Sequence, residues 1–185
     1  MFIVFIGPPG AGKGTQAERL IDLLSIPHVS TGDMLRQAIR QESDLGKRAA
    51  DFMQAGELVP DELVLQIINE CLDDSKMAKG CLFDGFPRNV EQAKALDELM
   101  EKRSTPVDLV LELQVDSDEL IRRMLARKRP DDTPDTIAQR LEVYKNQTAP
   151  VLEYYAQRGL LATIDGSGTP DDVFGRIRQR VSPNQ

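Results

Sequence analysis

The chain is poor in three things: histidine, cysteine and positive charge. It holds one His, two Cys, and 23 Lys and Arg against 30 Asp and Glu, a formal net charge of −7. Each scarcity closes off a class of function. Cys71 and Cys81 stand in neither a redox pair nor a zinc-ligand pattern, so they read as ordinary reduced thiols of an intracellular protein. His28, alone between Pro27 and Val29, reads as structural rather than as a general base. The acidic balance argues against a nucleic-acid partner, because a phosphate backbone would be repelled on average. No apolar run approaches the roughly 20 residues that a membrane helix needs. The apolar N-terminus has no basic leader and no small-residue cleavage site, so it does not read as a secretory signal. A cytoplasmic location, with neither membrane nor nucleic acid as partner, is the expectation. There is no internal repeat and no low-complexity linker. The 185 residues, 41% hydrophobic and 29% charged, suit a single domain with a sizeable core.

What is present is an alternation. Five short apolar runs, MFIVFIG, PHVS, CLFDG, VDLVLELQV and LLATID, read as buried strands. Between and after them lie helix-like stretches at 13–24, 31–54 (broken near Ser43), 60–73, 89–101, 117–127, 134–157 and 170–180. Strands alternating with helices predict an α/β fold of three layers, α/β/α, around a parallel five-stranded sheet. The long span between PHVS and CLFDG is mostly helical and reads as an inserted arm. RKRPDDTPD, residues 127–135, is the most polar stretch and reads as an exposed loop.

GPPGAGKGT, residues 7–15, follows directly on the first apolar run. Glycines let backbone N–H groups approach a ligand closely, and the prolines stiffen the loop. N–H groups converging at the positive end of a helix make a phosphate cradle, to which Lys13 adds a mobile full charge. The usual P-loop pattern puts Ser or Thr directly after the lysine. Here Gly14 stands there and Thr15 follows, so Thr15 supplies the only hydroxyl for phosphate or Mg²⁺ contact.

Three further stretches call for a second anionic guest. In STGDMLR, Ser30 or Thr31 can cap a helix, with Asp33 near its positive end, and Arg36 is a candidate anion clamp. In FDGFPRN, Asp84 ends a strand at the mouth of the sheet, where it can serve the metal shell. Gly85 and Pro87 force a sharp turn that presents Arg88 at the same rim. Gln92 lies one helical turn beyond Arg88, and its amide donates and accepts at once, which matches the edge of adenine. Finally, Arg123, Arg127, Arg129 and Arg140 gather near the polar loop. Like charges at i, i+4 destabilise a helix, and a bound polyanion would relieve that cost.

GPPGAGKGTQA, STGDMLR, FDGFPRN with its downstream Gln92, and RPDDTPDTIAQRLEVY together resemble adenylate kinase of the short-lid type, over essentially the whole chain. In that family the lysine–glycine–threonine order at 13–15 is normal. The resemblance implies a helical arm for the nucleoside monophosphate at about 30–59 and a very short lid at about 126–132. It implies that Gly10, Ala11, Gly12, Lys13, Gly14 and Thr15 bind the ATP phosphates, with Arg127 reaching ATP from the lid and Gly168 packed against its adenine. Thr31, Arg36 and the backbone of Glu57, Leu58 and Val59 would hold AMP. Gly85, Phe86, Pro87 and Arg88 would grip its phosphate, and Gln92 its base. Arg129 and Arg140 would reach the phosphates on the AMP side, and Arg123 the transferred one. Asp84 would serve Mg²⁺ through water. Arg127 and Arg129 are separated by Lys128 alone, a lid shorter even than the usual short form, which removes any case for zinc. A monomer is the family expectation.

ATP and AMP bring about six negative charges, of which one Mg²⁺ cancels two. Lys13, Arg36, Arg88, Arg123, Arg127, Arg129 and Arg140 oppose the rest. The acceptor phosphate is already an anionic nucleophile, so no general base is required, and catalysis would be positioning plus electrostatic stabilisation. Two alternatives stand beside this reading. A UMP/CMP-type kinase tends to carry Ala where Thr31 stands and Asn where Gln92 stands. A nucleotide-hydrolysing P-loop switch would not need the second arginine-rich site.

Overall fold

Phe2–Ile6 (β1) is apolar at every position and buried along its whole length. Only a strand with neighbours on both edges and cover on both faces meets that demand. It pairs in parallel with Cys81–Asp84 (β3) on one side, Phe5 opposite Asp84, and with Leu109–Gln114 (β4) on the other, Ile6 opposite Glu112. His28–Ser30 (β2) lies outside β3 and Leu161–Asp165 (β5) outside β4. The order is β2-β3-β1-β4-β5, all parallel. This computed structural model describes residues 1–127 and 132–181.

The helices are Lys13–Leu24 (α1), Thr31–Arg40 (α2), Asp44–Ala55 (α3), Asp61–Leu72 (α4), Val90–Lys102 (α5), Ser117–Arg127 (α6), Pro134–Val143 (α7), Ala149–Ala156 (α8) and Pro170–Val181 (α9). The period of two in each strand divides the core into two layers. Val4, Ile6, Phe83 and Val110 meet α4, α5 and α8 through Ile68, Leu96 and Tyr155. Ile3, Phe5, Leu82 and Leu111 meet α1, α6 and α9 through Leu20, Met124 and Ile177. The architecture is therefore the α/β/α sandwich expected from the alternation. Among the described residues no helix is long and apolar enough to cross a membrane.

Two helical stretches differ in detail from the reading of the periodicity. The break near Ser43 is a full helix boundary: the Ser43 hydroxyl accepts from Gly46 N at 3.1 Å and caps α3. The stretch 134–157 is not one α-helix. Its middle widens into a π turn, Tyr144–Thr148, in which Ala149 N donates to Tyr144 O, five residues back. The turn precedes Pro150, which lacks the N–H an α-helix would use and whose ring would crowd the carbonyl four residues earlier. A 3₁₀ turn, Ser75–Lys79, also precedes β3, with Asp74 accepting from Lys76 N at 2.9 Å.

Because all five strands run the same way, their carboxyl ends share one edge. The connections from β1 and β3 leave in opposite directions, β1 towards β2 and β3 towards β4, so the crevice opens there. The loops after β1, β2, β3 and β5 carry GPPGAGKGT, the start of STGDMLR, the turn before Arg88, and Gly168 to that edge.

The α2–α3 junction is a packing test of the arm. A Cβ on Gly46 would stand 2.2 Å from Ala38 O. Gly46→Ala is expected to lower unfolding free energy by about 1–3 kcal/mol, read from urea denaturation, since backbone must shift to admit the methyl.

Candidate active site

The loop from β1 to α1 closes on itself, Ala11 N donating to Pro8 O at 3.1 Å. Gly10 (φ +86°) and Gly12 (φ +95°) occupy the left-handed region. A Cβ on Gly10 would also stand 2.7 Å from Leu120 O, so conformation and space both require glycine there. Lys13 curls back over the loop, its Nζ donating to Gly7 O at 2.7 Å and Pro8 O at 3.1 Å. Helix α1 has no side-chain cap and no acidic residue in its first turn. Its opening N–H groups thus face an exposed region that Gly14 and Thr15 border, the environment an anion needs.

At the end of β3, Asp84 is 8% exposed. His28 Nε2 on β2 lies 3.4 Å from its Oδ2. Burial pushes the Asp84 carboxyl up, but His28, Lys13 and Arg88 around it outweigh burial and hold it below its ordinary value. The single histidine thus supports a buried carboxylate, in line with a structural reading.

Gly85 (φ +77°) and a cis Phe86–Pro87 peptide turn the chain after Asp84. Phe86 is buried edge-on against Phe83, and Pro87 is buried too, so these two hold the turn rather than line a cleft. Arg88 is held three times over: its Nε donates to Gly85 O, its N–H to Gln92 Oε1, and its O accepts from Thr148 Oγ1, all at 2.7 Å. Burial lowers the Arg88 pKa. Asp84 opposes that effect, while Arg36 and Arg140 add to it. The three arginines therefore share one field.

Ser30, not Thr31, caps α2, accepting from Asp33 N at 3.4 Å. Thr31, 1% exposed, instead donates to Gly85 O at 2.8 Å and ties the start of α2 to the Arg88 turn. Arg36 pairs with Asp33 one turn back. A cleft opens between these elements. Thr31, Glu57, Leu58, Val59, Gly85, Arg88 and Gln92 all line it, and so do Gly32, Leu35, Met53 and Val64. The last four escaped the sequence reading, because an apolar position on a helix has the same period whether it faces a core or a cleft.

On the other side of the crevice Arg123 spans two loops. Its Nε donates to Glu119 Oε1 at 2.6 Å, and its Nη atoms donate to Ala11 O and Gly166 O, each at 3.2 Å. Gly168 (φ +94°) sits in the same β5–α9 connection as Gly166. Arg127 donates to both oxygens of Asp132, at 2.5 and 3.0 Å, and Arg140 to its Oδ1 at 2.7 Å. Arg127 and residues 133–135 are exposed, as expected of RKRPDDTPD, but the Asp132 side chain is 0% exposed, with two guanidinium groups against its one carboxylate. Arg129 lies outside the described residues, as does most of the lid at 126–132.

Asp84 yields a pH test with a definite sign. A carboxyl held below its ordinary value of about 3.9 adds stability above that pH, and the gain is lost as pH falls through the folded value. His28→Ala removes one source of the lowering. The rise in denaturant midpoint between about pH 3 and 6 should therefore be smaller in the variant than in the parent.

The chain matches known proteins over nearly its whole length. Residues 5–160 match the family described as Adenylate kinase. Similar curated proteins include the adenylate kinase of Parabacteroides distasonis, 47% identical over 184 residues covering 97% of each chain. The adenylate kinase of Stenotrophomonas maltophilia is 48% identical, covering 96% of this chain and 97% of its own. That of Mycolicibacterium paratuberculosis is 48% identical, covering 95% and 96%. With a glycine-rich cradle after β1 and an arginine-bearing cleft beside it, the chain belongs to the adenylate kinase family.

Proposed function

We propose that this chain moves the terminal phosphoryl group of ATP to AMP, reversibly, giving two ADP and so balancing the adenine nucleotides. The observation that carries the reading is Asp84. One buried carboxylate feels both Lys13, on the cradle side, and Arg88, on the cleft side, so two phosphate-binding regions flank a single anionic point.

In this reading Gly10 to Thr15 cradle the ATP phosphates, and Lys13 exchanges carbonyl oxygens for those of the transferred group. Arg127 and the Gly168 loop serve the rest of ATP. Thr31, Arg36 and Glu57 to Val59 hold AMP, Gly85 and Arg88 its phosphate, on the turn that Phe86 and Pro87 set, and Gln92 its base. Arg123, Arg129 and Arg140 answer charge that spreads over the phosphoryl oxygens during transfer. Arg123 is already anchored to the cradle through Ala11 O and so needs little reorganisation.

Mg²⁺ fits here as a companion of ATP. Asp84 offers a carboxylate held in its anionic form, which would serve Mg²⁺ through water. Mg²⁺ binds with few carboxylates and substrate phosphates and keeps several waters. Bound with ATP, it would supply positive charge against the phosphates. Zinc has no role in the reading: Cys81 is buried in β3, and Cys71 in α4 packs partly buried against the same core.

Water competes with AMP as acceptor, so the crevice must close. We assign that movement to the lid at about 126–132 and the arm at about 30–59, within one 1–185 domain. The reading further takes the protein as a cytoplasmic monomer.

A coupled assay with AMP, UMP, CMP and GMP as acceptors tests the substrate. AMP consumption with two ADP formed supports it, and hydrolysis of ATP without an acceptor, or preference for a pyrimidine, refutes it. Lys13→Met should lower turnover at least about 100-fold while the fold stays intact by circular dichroism. Arg88→Ala should raise the KM for AMP much more than that for ATP. Equal losses for both substrates would contradict the division of the site.

A further inference from the structure

Gln92 is 1% exposed and forms part of the cleft wall. Its amide is engaged at both ends. Oε1 accepts from Arg88 N at 2.7 Å and Nε2 donates to Asp61 Oδ1 at 2.7 Å. Asp61, the first residue of α4, also takes Asn89 Nδ2 on both oxygens, at 3.0 and 3.1 Å. A backbone N–H only donates and a carboxylate only accepts. The two partners therefore dictate the same orientation of the Gln92 amide. Turned over, it would set NH₂ against N–H and C=O against a carboxylate, two repulsive contacts in a buried place.

From this juxtaposition we infer that Asp61 is a positioning residue for base selectivity: through Gln92 it admits a 6-aminopurine and rejects a 6-oxopurine. The inference rests on the reading of this cleft as the monophosphate site. After its two internal bonds Gln92 keeps one N–H and one oxygen lone pair. Adenine offers an amino donor at C6 and an acceptor at N1, which such an amide complements. Hypoxanthine and guanine offer the reverse, an acceptor at C6 and a donor at N1, and only the turned amide would suit them. The discrimination thus comes from a forbidden rotation as well as from an attractive contact. Asn89 caps α5 by accepting from Gln92 N at 2.8 Å, so the same three side chains fix the helix start and the direction of the amide.

The test compares kcat/KM for AMP and IMP at saturating ATP in the parent, Asp61→Asn, Asp61→Ala and Gln92→Leu, with melting curves for each. The parent should prefer AMP by about 100-fold or more. Asn at 61 can turn its own amide, its oxygen to Asn89 and its NH₂ to Gln92 Oε1. That variant should narrow the AMP:IMP ratio about tenfold or more, through the KM of the monophosphate, with the KM for ATP unchanged. Asp61→Ala should narrow it also, and carries the comparison if the Asn variant does not fold. If Asp61 only supports the fold, melting temperature drops and both acceptors suffer alike, with the ratio unmoved; that result overturns the inference. Gln92→Leu separates the two levels. If it leaves the parent ratio intact, the cleft does not read the base there and the site assignment itself fails. If it collapses the ratio while neither Asp61 variant changes it, the assignment stands and the role of Asp61 falls.

Discussion

Like charges crowded into a small space repel, and that repulsion is the constraint around which this molecule is arranged. Two guanidinium groups 4 Å apart at an effective dielectric near 20 oppose each other by about 4 kcal/mol. The chain gathers cations at one edge of its sheet and gives each a carboxylate: Asp33 for Arg36, Glu119 for Arg123, Asp132 for Arg127 and Arg140. Asp84 sits in the field of Lys13 and Arg88. Internal anions thus hold together cations that would otherwise repel one another. The pairs differ in firmness. Asp33 is largely exposed, and an exposed pair contributes little. The Asp132 side chain is covered and shared by two arginines, so its removal would take a buried carboxylate from both. The Arg36–Asp33 pair is therefore the looser of the two and the Asp132 cluster the firmer.

A parallel sheet makes the crowding affordable. Its strands are covered on both faces, so stability comes from Ile3, Val4, Leu82 and Phe83 and their helices, remote from the charged edge. Every carboxyl end points to that edge, and the loops that follow anchor there through a few buried residues such as Ala11 and Phe86. Short turns after β1, β2 and β3 then bring residues far apart in the chain to one crevice.

Much of this was legible because it is local. Five strands announce themselves as short, mostly apolar runs of three to six residues. The cradle is written in consecutive residues, and the turn before Arg88 needs only Gly85 and Pro87. Thr31, Arg88 and Gln92 are recognisable for the same reason, each within a short motif. What escaped depends on distance along the chain. Asp61 meets Gln92 across 31 residues and Thr148 meets Arg88 across 60, and no local pattern in α4 or before α8 marks either. Asp132 was visible only as one acid in a polar loop, since burial of its carboxylate arises from Arg127 and Arg140 closing over it. The cap at Ser30 rather than Thr31 turned on a single choice between adjacent hydroxyls, which backbone direction decides.

The widened turn before Pro150 has a mechanical consequence. It lies in one rod with α7 and α8, and that rod makes two polar grips on the cleft. Thr148 holds the carbonyl of Arg88, while Arg140, two turns earlier, reaches Met53 O on α3. The bulge sets the angular offset between these grips, because one extra residue in a turn rotates everything downstream by about 100° about the helix axis. A proline thus serves as a gear tooth: it phases the two contacts so that one rigid element indexes both walls of the crevice against each other.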